Sequence, residues 1–226
     1  MILCGGLGTR LRPVAKGPKA LAPLGKEPFL VVLINDLLQY GFRRFILCTG
    51  HQGGQIKRFV QGKSEWKKHG IQFIFSEEKK PLGTGGALKL ALPLVASKNF
   101  VVINGDTLLR FNFPRFLVAH SKRGALVSMA LLSSQRTDAG RVQIAKGFKI
   151  KDFSEKPDQT SKGYINAGAY VMQTRVVDHL PPHDIFSLEN DFFPKVIGKK
   201  FYGFLMKGSS HDIGTPERFA EAQKLV

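Results

Sequence analysis

The sequence predicts an α/β fold: a three-layer arrangement with a mostly parallel sheet, helices on both faces and added antiparallel strands. Three observations carry this prediction. Through about residue 106, short β-rich runs alternate with amphipathic segments, the rhythm of a parallel sheet with crossover helices. The run "FVVING" (101–105 with Phe100) is apolar throughout, as in a strand covered on both faces. From about Ala125 the rhythm changes to consecutive strand-like runs with short connections, which suggests antiparallel additions.

In order, "MILC" is a strand stub. "PFLVVLINDLLQYG" has helical spacing and stops at Gly41, a C-cap signal. "RRFILCTG" reads as strand and turn, "GGQIKRFVQG" as a short helix and "GIQFIFS" as a strand. "GGALKLALPLVA" reads as a helix that Pro93 kinks or ends. After "FVVING" come the strand-like "ALVSMALL", "RVQIAKGFKIKDFS" and "GYINAGAYVM". "SLENDFFPKVIG" reads as a helix capped by Ser187, and "FYGFLM" as a further strand. "TPERFAEAQKLV" is a helix with Thr215 at the N-cap and Pro216 at the first helical position. With no linker or repeat, residues 1–226 are expected to form one domain.

Composition narrows the class. A chain of 226 residues with 43% hydrophobic and 23% charged residues is that of a globular protein with a full core. The longest apolar runs are too short to span a bilayer, and "MIL" lacks a basic leader region, so a cytoplasmic protein without a membrane partner is expected. Cys4 and Cys48 lie in strand-like runs and read as buried free thiols. The net charge of +17 invites a nucleic-acid partner, but the basic residues are scattered and no RNA-reading motif accompanies them. Diffuse surface charge, suited to small polyanions such as nucleoside triphosphates, is the reading adopted, with no nucleic acid.

Four stretches carry candidate chemistry. In the first, Gly5, Gly6 and Gly8 follow the strand stub. They fit neither the G-x-x-x-x-G-K-[ST] nor the G-x-G-x-x-G spacing, yet they allow close backbone approach to a ligand and are followed by Arg10, Arg12, Lys16 and Lys19. Arg10 offers a fork of donors for phosphate and Lys19 a mobile point charge. In the second, Asp106 ends the buried strand, and Asp212 stands late in the chain in "HDIG". At neighbouring strand ends the two carboxylates can share one Mg²⁺, which fills the rest of its shell with water and phosphate oxygens. In the third, "FSEKP", Glu155 can accept from sugar hydroxyls and Lys156 can pair with a monophosphate. In the fourth, "EEKKPLGTGGAL", Gly83, Gly85 and Gly86 open a helix and allow close approach of a ring or a phosphate, and a nearby carboxylate suits the two adjacent donors of guanine.

In this order the pieces resemble the sugar-1-phosphate nucleotidyltransferases (nucleotide-sugar pyrophosphorylases). The resemblance rests on Gly5-Gly6-Leu7-Gly8-Thr9-Arg10-Leu11, Leu82-Gly83-Thr84-Gly85-Gly86-Ala87, Asn104-Gly105-Asp106, Glu155-Lys156-Pro157, Asn166-Ala167-Gly168-Ala169-Tyr170 and Asp212 to Glu217. Within the family the likeness points to guanylyltransferases acting on D-glycero-α-D-manno-heptose 1-phosphate, through "PLGTGGALK", "INAGAY" and "FSLENDFF". The resemblance implies the Rossmann-like fold of nucleotide-diphospho-sugar transferases. It also implies the reaction NTP + sugar 1-phosphate → NDP-sugar + pyrophosphate, with Mg²⁺ as cofactor and GTP favoured. By position it implies catalytic Arg10, Lys19, Asp106 and Lys156, and nucleotide contacts at Leu3, Gly5, Gly6, Gly8, Thr9, Glu78, Gly83 and Thr84. Gly140, Glu155, Lys156 and Asn166 would hold the sugar phosphate, and Asp106 and Asp212 the metal.

The chain departs from the family pattern at Ala20, where proline usually follows the lysine, at Ala139-Gly140, where Tyr-Gly is usual, and at His211. Alternatives are a uridylyl- or guanylyltransferase acting on a hexose 1-phosphate of mannose or N-acetylmuramate type, and a non-catalytic nucleotide-sugar-binding regulatory domain. Self-association into a homo-oligomer is left open.

Overall fold

A computed structural model describes residues 1–6, 8–11, 14–134, 141–154 and 163–225. The elements in chain order are β1 (Ile2–Leu3), β2 (Pro23–Leu24), β3 (Glu27–Pro28), α1 (Phe29–Gln39), β4 (Arg44–Thr49), α2 (Gly53–Gly62), α3 (Ser64–Lys68), β5 (Gln72–Glu77), α4 (Gly83–Ala91), β6 (Asn99–Asn104) and β7 (Thr107–Arg110). They continue with α5 (Phe113–Lys122), β8 (Val127–Ser134), β9 (Arg141–Ile144), β10 (Ile150–Ser154), β11 (Gly163–Gln173), α6 (Phe193–Val196), β12 (Phe201–Leu205), β13 (Ser209–Asp212) and α7 (Pro216–Gln223). The chain forms two compact units, one of residues 1–81, 104–109 and 210–226, the other of residues 82–103 and 110–209.

The first unit is built on parallel pairing. β1 lies beside β4 with Leu3 opposite Cys48, and β4 lies beside β5 in register from Arg44–Gln72 to Thr49–Glu77. α1 buries Phe29, Leu30, Leu33, Ile34 and Leu37 on one face, the i, i+3, i+4 spacing that made it legible. It ends before Gly41, which takes the left-handed φ of +85° expected of a residue just past a helix. Cys4 and Cys48 are both buried free thiols. Burial pushes the Cys4 thiol well above its ordinary value and the Cys48 thiol up to about 12.

In the second unit antiparallel pairing dominates. β11 is its spine, antiparallel to β6, β8 and β9, while β12 runs parallel to β8. Its core gathers Phe192, Phe193, Phe201 and Tyr170, all fully buried, with Phe193 stacked on Phe201 at 5.5 Å. The α/β class is the class predicted, and several local features refine it. "RVQIAKGFKIKDFS" is not one strand but the pair β9 and β10 joined by a tight turn at Lys146–Phe148. Pro93 ends α4 in a 3-10 turn, Leu92–Leu94. "SLENDFF" opens as a π-helical turn, Leu188–Phe192, with Ser187 Oγ accepting from the Glu189 and Asn190 N–H groups as a cap should. The elements α3, β7 and α5 and the ribbon β2–β3 were not anticipated. Among the described residues no helix is long and apolar enough to cross a membrane.

Candidate active site

The first unit gathers most of the anticipated nucleotide and metal residues through a continuous set of contacts. β1 is only two residues long, so the chain leaves it at once into the glycine loop. The Leu3 carbonyl accepts the N–H of Gly105 at 2.9 Å, which fastens the Asn104-Gly105-Asp106 turn to the end of β1. The Ile213 N–H donates to the Asp106 carbonyl at 2.9 Å, so the segment carrying Asp212 lies against the same turn. Ile213 is fully buried and anchors it.

The loop has two faces. At Gly5 a Cβ would run into the Glu78 carboxylate and lie 3.5 Å from the Gly50 N–H nitrogen, so only glycine admits this approach. Glu78, which follows β5, is held by its N–H donating to the Thr49 carbonyl at 2.8 Å. The anticipated base-reading carboxylate therefore sits directly on the glycine loop. At Gly6, by contrast, a Cβ would meet nothing within 4 Å among the described residues, and the residue is exposed. Thr9 and Arg10 are exposed on a 3-10 turn, Thr9–Leu11, pinned by Leu11 at 2% exposure. Gly8 has φ of +60° and lies beside the Lys19 side chain.

Lys19 begins the 3-10 turn Lys19–Leu21, fixed by Leu21 N–H to Pro18 O (2.8 Å) and Ala22 N–H to Lys19 O (3.0 Å). Ala20 is buried and permits this turn, whereas proline at that position would disfavour helical backbone at Lys19. The Lys19 ammonium donates to Asp106 Oδ2 at 2.6 Å, with side-chain exposures of 18% and 35%. Thr107 Oγ1 donates to Asp106 Oδ1 at 3.0 Å. Asp212 Oδ1 accepts from Arg218 Nη1 at 2.8 Å and from the Gly214 N–H at 3.0 Å. Sequence reasoning missed Arg218. Its signal was present in "TPER", where Thr215 caps α7 and so places the third helical residue back over Asp212.

Each carboxylate thus already holds one cation. Among the described residues there is no cluster of three or more His, Cys, Asp or Glu side chains that could cage a metal. That donor set fits Mg²⁺, which is commonly held by one or two carboxylates and completes its shell with water and phosphate oxygens. It does not fit a structural metal that needs four protein ligands.

In the second unit, Gly83 and Thr84 open α4, and Asn166 lies on β11. Asn166 Nδ2 donates to Tyr170 Oη at 2.7 Å, and its Oδ1 accepts the Gly168 N–H at 3.0 Å, closing the register shift of β11 between Asn166 and Tyr170. The Thr84 hydroxyl bonds to Glu189 at 2.7 Å. Gly140, Glu155 and Lys156 lie outside the described residues.

Residues 1–226 match the sequence profile of the family described as "Nucleotidyl transferase". The chain is 35% identical over 226 residues, 99% of this chain and 96% of the relative, to the D-glycero-alpha-D-manno-heptose 1-phosphate guanylyltransferase of Aneurinibacillus thermoaerophilus. It is 31% identical to the mannose-1-phosphate guanylyltransferase of Mycobacterium tuberculosis, over 97% of this chain and 62% of that protein's length. Among solved structures, HddC from Yersinia pseudotuberculosis superposes with a TM-score of 0.84 at 31% identity, over 99% of this chain and 97% of that one, and has also been solved complexed with GMP-PN. The mixed α/β fold is shared, and the family's enzymes commonly use a divalent metal. The chain belongs to the nucleotidyl transferase family, as an enzyme of its sugar-1-phosphate nucleotidyltransferase class.

Proposed function

We propose that this enzyme transfers a guanylyl group from GTP to D-glycero-α-D-manno-heptose 1-phosphate, with Mg²⁺, releasing pyrophosphate. The observation that carries the reading is that Glu78 lies against Gly5 and Lys19 lies beside Gly8 while bonded to Asp106, one carboxylate for the base and one cation–carboxylate pair for the phosphates, next to a single glycine loop. The sugar assignment is supported by the near-complete match in length and the 35% identity to the heptose enzyme.

The chemistry asks little of a general base. The nucleophile is an oxygen of the sugar phosphate, whose second pKa is near 6, so the dianion predominates at neutral pH. That oxygen forms a bond to the α-phosphorus while the bond from the α-phosphorus to the bridging oxygen of the β-phosphate breaks, and the electron pair leaves with pyrophosphate. What opposes this is the repulsion of two polyanions brought together in line, so catalysis is positioning and charge neutralisation. The exposed Arg10 and the Lys19 ammonium neutralise the triphosphate and the departing pyrophosphate. Glycines 5, 6 and 8 allow the backbone to close on the nucleotide, and the Glu78 carboxylate accepts from the N1–H and N2–H₂ of guanine. Asp106 and Asp212 would hold Mg²⁺, which supplies charge neutralisation between the phosphates when bound. Lys19, 2.6 Å from Asp106, would pass from that carboxylate to a phosphate oxygen.

The second reading is a guanylyl transfer to mannose 1-phosphate, favoured by 31–34% identity to several such enzymes, of which the chain spans 60–62% of the length. One assay separates them: pyrophosphate release from each of the four ribonucleoside triphosphates and thymidine triphosphate, against a panel of sugar 1-phosphates, with and without Mg²⁺. The expected pairing is GTP with the heptose 1-phosphate. Preference for UTP or for mannose 1-phosphate overturns the base or the sugar assignment respectively.

A further inference from the structure

The start of α4 resembles a phosphate site in sequence, with three glycines and no side-chain cap. In the structure two of its donors are spent on the chain itself. The N–H groups of Gly85 and Gly86 both donate to the Phe186 carbonyl, at 3.0 and 3.2 Å, and the Phe186 N–H donates to the Leu82 carbonyl at 3.0 Å. A Cβ at Gly83 would lie 2.6 Å from the Phe186 carbonyl oxygen, one at Gly85 would enter the Phe186 ring, and one at Gly86 would strike the Asp184 carbonyl. The close approach these glycines allow is that of residues 184–186.

Two polar clamps hold that segment down. Lys89 Nζ donates to Pro182 O (2.8 Å), Asp184 Oδ1 (3.0 Å), His183 O (3.2 Å) and Pro181 O (3.4 Å). An ammonium with three rotatable hydrogens suits such a ring of carbonyls better than a planar guanidinium would. At the other end, Thr84 Oγ1 donates to Glu189 Oε2 at 2.7 Å and accepts the Leu188 N–H at 2.9 Å, while Ser187 Oγ donates to the same Glu189 oxygen at 2.8 Å. Thr84 has one hydroxyl hydrogen, and Glu189 holds it.

We propose that residues 181–189 form a strap that holds the Leu82–Thr84 segment in its nucleotide-binding conformation, and that Thr84, Lys89 and Glu189 are positioning residues and not ligands of the nucleotide. The proposal rests on the nucleotidyl transfer proposed above for its kinetic readout, but not for its thermal one.

The test is a double-mutant cycle on Thr84→Ala and Glu189→Ala, with Thr84→Ser and Lys89→Met. Each alanine variant is expected to raise the KM for the nucleoside triphosphate about tenfold, with kcat and the KM for the sugar phosphate within about twofold. The double variant should be no worse than the worse single, and Thr84→Ser should restore the wild-type KM. Lys89→Met should reproduce the KM rise. The thermal midpoints of the same cycle should be non-additive in the same way, which is read without any turnover. Multiplicative losses in the double variant overturn the strap. So does a Thr84→Ala defect with Glu189→Ala silent, which would make Thr84 a direct ligand. If the alanine variants do not fold, Thr84→Ser and Glu189→Gln complete the cycle, with the same two outcomes. An enzyme inactive with every nucleotide but coupled in its thermal midpoints would remove the proposed reaction and leave the strap standing.

Discussion

Two glycine-rich segments of this chain look alike in sequence and meet different surroundings. In Gly5–Gly8 the glycines follow a strand and leave one face open, since a Cβ at Gly6 meets nothing among the described residues and Arg10 stands exposed nearby in sequence. In Gly83–Gly86 every Cβ position but that of Thr84 is taken by Phe186 or Asp184 or their neighbours. Glycine signals close approach in both. What approaches differs: the first leaves room for something outside the chain, the second is filled by the chain. The cations follow the same division, with Lys19 on the carboxylate of Asp106 and Lys89 on a ring of backbone carbonyls.

Substitutions can sharpen this contrast, and the largest effect is expected at Asp106. Asp106→Asn removes the proposed metal ligand and the carboxylate partner of Lys19 together, and turnover should fall by about a thousandfold or more with the far-ultraviolet spectrum unchanged. Near-wild-type rates would refute the metal role. Arg10→Ala should lower kcat/KM by about a hundredfold to a thousandfold, as loss of a phosphate-clamping donor does elsewhere, while the thermal midpoint stays put because the side chain is exposed.

The matched glycine pair comes next. Gly85→Ala forces a methyl group into the Phe186 ring and should cost about 1–3 kcal/mol of stability. Gly6→Ala meets no neighbour among the described residues, so stability should hold within about 0.5 kcal/mol while the nucleotide KM rises. The reverse pattern in chemical denaturation and kinetics would collapse the distinction between the two segments.

The last effect concerns a polar group that the second unit uses internally. His120 is buried, with its Nδ1 3.0 Å from Ser128 Oγ, and burial depresses its pKa from the ordinary 6.5 to about 4. Above pH 6.5 the ring is neutral in both folded and unfolded chains. Below it the unfolded chain takes up the proton and the folded one does not, so stability falls as pH drops from about 6.5 to about 4 and then levels off. Denaturation midpoints at pH 7 and pH 5 should differ less in His120→Asn than in the wild type.

Much of this was legible in the sequence. The α1 spacing, the buried run of β6 and the Thr215-Pro216 start of α7 state their structure locally, because amphipathic period and capping chemistry are local properties. The residues of the first unit proposed for the nucleotide and the metal stood out as motifs. Their joining through Leu3 O, Gly105 and Ile213 was not, since backbone contacts between distant segments leave no residue-type signature. Arg218 was overlooked because an arginine one turn into a helix is usually solvated. The strap could not be read at all: Lys89 and Pro181–Asp184 are about 92–95 residues apart, and each alone reads as surface. The split of residues 141–154 into β9 and β10 turns on Gly147 at φ of +77° and Phe148 at φ of +63°, two left-handed residues inside a run otherwise suited to one strand.

The central claim is that the glycine loop presents the α-phosphorus, and not the γ, to a sugar phosphate. It is tested most directly by following radiolabel from GTP in the presence of Mg²⁺ and the heptose 1-phosphate. Label placed on the α-phosphate should appear in the nucleotide-sugar, and label on the γ-phosphate in pyrophosphate. Release of γ-label as inorganic phosphate, with α-label left in GDP, would contradict the account.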